Sequence, residues 1–164
     1  MVSLSSLLLP LLASTVLAAP CLDDNEAIHI AKKWLDIWSS GTITKESQLT
    51  TLVTPDIQSY DGTYGQATVG IDALFASCTY VDPLVKDVVQ VPIFIFHSCD
   101  QIAARWTYNA LSTGVGSTVK ANTPIFFHGT ELLHVDLQSR LIYNSTSSAD
   151  WVLLATQLGQ TVNL

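Results

Sequence analysis

A carboxyl group set on an apolar strand face is the first feature of this sequence with chemical promise. Alternation from Phe126 onward puts Phe127, Gly129, Glu131, Leu133 and Val135 on one face, opposite Phe126, His128, Leu132, His134 and Asp136. A polar group buried without a partner costs roughly 1 to 3 kcal/mol in proteins, so Glu131 must be paired or used. Desolvation raises the pKa of such a carboxyl and makes it a proton donor. The competing reading is an ionised Glu131 paired with Arg105, a structural ion pair without chemistry. Arg105 lies on a strand where alternation separates Gln101, Ala103, Arg105, Thr107 and Asn109 from Ile102, Ala104, Trp106, Tyr108 and Ala110. Other chemistries lack their motifs. The sequence has no Gly-x-Ser-x-Gly elbow, phosphate loop, His-Glu-x-x-His or nucleotide fingerprint. His97 near Cys99 is a spacing that strand alternation produces unaided, and neither a metal nor an organic cofactor is implied.

The elements that must position these residues follow from periodicity. Ile28, Ala31, Trp34, Leu35 and Trp38 recur at helical steps, which predicts an amphipathic helix over 24–39 stopped at Gly41. Thr44 as N-cap and Leu49, Leu52 and Val53 as one face predict a second short helix closed by Pro55. Residues 60–70 read as loop, and a third helix runs from Gly70 or Ile71 through Thr79. After Lys86 the chain becomes β-branched and aromatic. Strands are expected over 87–98, 101–112, 118–136 (bent at Pro124 or Gly129) and 140–148, with a last helical turn over 150–158. Helices followed by a long curved antiparallel sheet make an α+β fold, with about three N-terminal helices covering one sheet face and leaving a pocket.

Of the 164 residues 48% are hydrophobic and only 13% charged, with a formal net charge of -7. No basic run exceeds Lys32-Lys33, so a nucleic-acid partner is excluded. Leu7 to Leu17 is too short to span a bilayer and ends in small residues, which predicts an export signal over 1–18 cleaved after Ala18. Residues 19–164 then form a single secreted or lumenal domain without a stable membrane anchor. In that compartment Cys21, Cys78 and Cys99 allow one disulfide in three pairings. Asn144-Ser145-Thr146 is a glycosylation sequon.

Leu52-Val53-Thr54-Pro55-Asp56-Ile57-Gln58-Ser59-Tyr60-Asp61 resembles the second helix and following strand of the nuclear transport factor 2-like superfamily. That superfamily is the cone-shaped fold of ketosteroid isomerase, scytalone dehydratase and the SnoaL-like polyketide cyclases. Gly129 to Asp136 with Arg140-Leu141-Ile142 is similar to its penultimate strand and hairpin. Asp150-Trp151 through Leu154, with Gln157-Leu158-Gly159, resembles the ending of the polyketide cyclases. Ser98 to Ala103, taken with the export signal, looks like a fungal secreted branch. The resemblance covers most of residues 24–159. It implies that Asp61 is the proton-removing carboxylate and that Glu131 is the acid bonded to the oxyanion, the arrangement of the steroid isomerases. It also gives Asp150 the position of the cyclase base. Trp34 stands where the isomerases carry an oxyanion Tyr, and it has only an N–H to donate. Tyr60, Tyr64, Tyr108, His97 and His128 are the candidates for further substrate contacts. For Asp61 the residues themselves also allow an Asx turn into Gly62.

What the resemblance implies is a cofactor-independent isomerase or cyclase acting on a hydrophobic natural product, by cyclisation, rearrangement, dehydration or Diels-Alder type closure. If the reaction is pericyclic, Glu131, Arg105 or Tyr108 act as hydrogen-bond donors only. The alternative is a secreted small-molecule-binding protein, or a homodimeric interaction module joined through its open sheet face.

Overall fold

Asp23 starts the first helix, α1 (Asp24–Asp36), through a reciprocal capping box with Glu26. The computed structural model describes residues 19–62 and 65–162, so the expected export signal and Tyr64 lie outside the described residues. Ala27, Ile30, Ala31, Trp34 and Leu35 form the buried stripe of α1, which packs against two strands, β3 (Val85–Ser98) and β4 (Gln101–Ser112). A 3-10 helix (Glu46–Thr51), then β1 (Val53–Asp61), β2 (Ala67–Val69) and α2 (Ile71–Cys78) intervene. β5 (Pro124–Val135), β6 (Ile142–Ala149) and α3 (Trp151–Gln157) complete the chain. The strands form one open sheet in the order β2-β1-β6-β5-β4-β3, an α+β architecture with the core between the helices and the inner sheet face.

Four expectations need correction, the first being the loop expected over 60–70, which holds the end of β1 and all of β2. The sheet is mixed, because β1 runs parallel to β6 while every other pair is antiparallel. The second helix is a 3-10 turn, and Pro55 sits inside a strand instead of ending a helix. It is tolerated because residues 54–57 fall at an irregularity in the β1/β6 register, beyond the reach of β2, so its missing N–H breaks no ladder bond. The strand expected over 118–136 starts at Pro124. Before it, Ser112 donates to the Lys120 carbonyl and receives the Thr123 N–H, which holds a loop.

Cys21 is bonded to Cys99, which ties the entry to α1 to the β3/β4 turn. Cys78 is free and half-buried, and burial pushes its thiol up to about 12. None of the described helices is long and apolar enough to cross a membrane.

Candidate active site

Strand register lays out the site. Glu131 pairs with Ser147 on one side and Ala104 on the other, and Ser147 in turn pairs with Asp61. Asp61, Ser147 and Glu131 therefore form one row across three strands, with the two acids about 10 Å apart at Cα. Inward residues of β1 are Ile57, Ser59 and Asp61, so the row faces the helices.

Above this row opens a cavity of about 410 Å3. Trp38, Trp106, Trp151 and Tyr80 contribute aromatic surface, and Asp61, Glu131, Ser59, Ser147 and Gln90 supply polar groups. Each wall has a local cause. Trp106 lies across Gly129 on the neighbouring strand, and any Cβ there would overlap its benzo ring. Trp151 opens α3, which Asp150 caps by accepting the Leu153 N–H. The Gln157 side chain fastens the same helix to the Phe126 backbone, which sets Trp151 at 5.1 Å from Phe127.

Glu131 is 5% exposed, and burial pushes its carboxyl up to about 8. The indole N–H of Trp34, the Ser147 hydroxyl and the indole N–H of Trp106 act in the opposite direction, and the negative charge of Asp61 raises it further. Neither indole N–H reaches hydrogen-bond geometry with an acceptor among the described residues, so both act through space. Burial therefore favours the protonated form of Glu131, which can donate a hydrogen bond. Trp34 lies behind it, fully buried and edge-on to Trp38 at 5.9 Å.

The other sequence candidates lie elsewhere. Arg105 faces outward, opposite Thr130, so the ion pair with Glu131 does not form; that acid shares its face with Trp106 instead. Tyr60 and His128 are on the outer face as well, His128 beside the Thr107 hydroxyl at 3.2 Å. His97 bonds Asp24 at 2.8 Å, near the start of α1. Tyr108 stacks on Phe127 at 4.4 Å in the core, where burial and then the Asp82 charge raise its phenol. The side chain of Asp150 is occupied as a helix cap. Sequence reasoning passed over Gln90, Ser147 and Trp151. Ser147 was findable by carrying the period-two alternation across from Glu131 to β6.

Residues 20–161 match a family model described as an NTF2-like domain. A comparison with curated proteins finds no match. Among solved structures the chain is similar to a candidate SnoaL-like polyketide cyclase from Shewanella denitrificans, at 16% identity over 84% of this chain and 98% of that one, TM-score 0.68. It is similar too to a candidate polyketide cyclase from Bacillus cereus, at 20% identity over 86% and 87%, TM-score 0.65. A third is a hypothetical protein of ketosteroid isomerase-like fold from Catenulispora acidiphila in complex with trimethylamine, at 17% identity over 80% and 93%, TM-score 0.65. Identities this low speak to the fold. With the family model spanning nearly all of the described residues, the chain belongs to the NTF2-like family.

Proposed function

We propose that this chain is a cofactor-independent isomerase or cyclase that enolises a carbonyl of a hydrophobic natural product. One observation carries the reading: Glu131, whose burial favours the protonated form, shares a row with Asp61 at the base of an aromatic chamber. The Asp61 carboxylate takes a proton from the carbon next to the carbonyl, and the electron pair moves onto an oxygen held by the Glu131 O–H. Return of that proton to another carbon isomerises the substrate. If the enol carbon instead bonds to a second carbonyl of the same molecule, whose oxygen takes the proton, a ring closes without loss of atoms. The candidate polyketide cyclases among the structural neighbours support this class. A Diels-Alder type closure would use the same chamber without Asp61.

The test compares metabolites of the source organism with and without the gene and adds purified protein to whatever accumulates. Conversion to an isomer supports the proposal. Asp61→Asn should then lower kcat by about 10²- to 10⁴-fold and Glu131→Gln by about 10²-fold. Binding of the accumulated compound without conversion would instead make the protein a carrier.

Export to an oxidising compartment is part of the same reading, supported by the Cys21–Cys99 disulfide. Asn144, half-buried on β6, is proposed to carry a glycan, which an N-glycosidase mass shift tests. A homodimer is proposed through the outer sheet face, where Val91, Ile93, Phe94, Phe96 and Phe126 are exposed.

A further inference from the structure

Gln90 lies on the inner face of β3, between the outward-facing Val89 and Val91, and lines the chamber. Its backbone N–H donates to Ser39 Oγ at 3.1 Å, which fixes the strand there. Its side-chain Oε1 is buried with no hydrogen-bond partner among the described residues. A buried acceptor left unmade bears its full desolvation cost, which a ligand donor would relieve.

Register gives the distance from the acids. Gln90 pairs with Tyr108 and Glu131 with Ala104, four residues apart along β4 and on opposite sides of it, so the two are offset by about 13 Å along the strands and about 10 Å across them, roughly 16 Å at Cα. Trp106 stands between them. The chamber thus has an acid end formed by Glu131 and Asp61, an indole wall, and an acceptor at the far end. No Lys, Arg or His lines it among the described residues, so nothing there favours an anionic group.

We propose that Gln90 is a substrate-positioning residue whose side-chain carbonyl accepts a hydrogen bond from a neutral hydroxyl at the end of the substrate remote from its reacting carbonyl. The positioning role rests on the chamber being the reaction site, whereas the hydroxyl contact itself needs only a bound ligand; together they narrow the substrate class to extended hydroxy-ketones without an anionic group.

Three probes test it without turnover: 6-hydroxy-2-acetonaphthone, its 6-methoxy analogue and 2-acetonaphthone, with Kd read from quenching of the wall tryptophans. The wild-type protein should hold the hydroxy probe about tenfold more tightly than the other two. Gln90→Leu should abolish that preference while leaving the affinity for 2-acetonaphthone in place and the Tm no lower than that of the wild type. Gln90→Met, with its unbranched side chain, serves as the second variant. The proposal is overturned by equal binding of all three probes to the wild type, by a preference that survives in either variant, or by no binding of any probe. Glu131→Gln should keep the hydroxyl preference, so a preserved preference in a protein that converts nothing discards the catalytic reading and retains this one.

Discussion

Glu131 keeps its proton because the charged form has too little solvation, and that has a cost the folded protein meets as pH rises. Its carboxyl moves from an ordinary value of 4.5 to about 8 on folding. The native state therefore binds a proton that the unfolded chain releases between those values. The resulting contribution to stability is fully present below about 4.5 and is lost as pH climbs through about 8, at roughly 1.4 kcal/mol per pH unit. Glu131→Gln should remove this slope, making the variant more stable than the wild type in urea at pH 9 and indistinguishable at pH 4. In the wild type kcat/KM should fall above pH 8, where the donor ionises. Glu131 was legible in the sequence because a lone carboxyl on an apolar face has few structural uses. Arg105 misled because it is the nearby cation, yet its neighbour Trp106 takes the inward position. Gln90 was hidden by a strand whose more apolar side, with Val89 and Val91, faces outward.

Elements hold the chamber walls at two identifiable points. Gly129→Ala should displace the Trp106 ring, costing about 1 to 3 kcal/mol in urea unfolding and altering tryptophan fluorescence. Asp150→Ala should remove the α3 cap at about 1 kcal/mol. Should it instead abolish turnover while leaving α3 intact by circular dichroism, Asp150 would regain the base role that the family resemblance assigned to it. At this scale β4 was read to the residue, since its alternation is unbroken over 101–112. β1 was not, because Pro55 signals a helix end in one dimension and a register irregularity in three. The parallel β1/β6 pairing was likewise invisible, being a property of chain return and not of either strand's pattern.

For the whole molecule, the outer sheet face and the disulfide are the features that connect it to its surroundings. Phe96 is 65% exposed, so Phe96→Lys should turn the proposed homodimer into a monomer by light scattering without changing the circular dichroism. The helix-covered α+β layout was visible in the change of composition after Lys86, but the choice among three cysteine pairings had to come from coordinates. That choice reaches beyond stability. The bond spans 78 residues and encloses α1, the 3-10 helix, β1, β2, α2 and all of β3. A protease that nicks any single peptide bond from Leu22 to Ser98 would leave both fragments covalently joined. Such a clipped protein should migrate as one full-length band on a non-reducing gel and as two on a reducing gel, its chamber still assembled from both pieces.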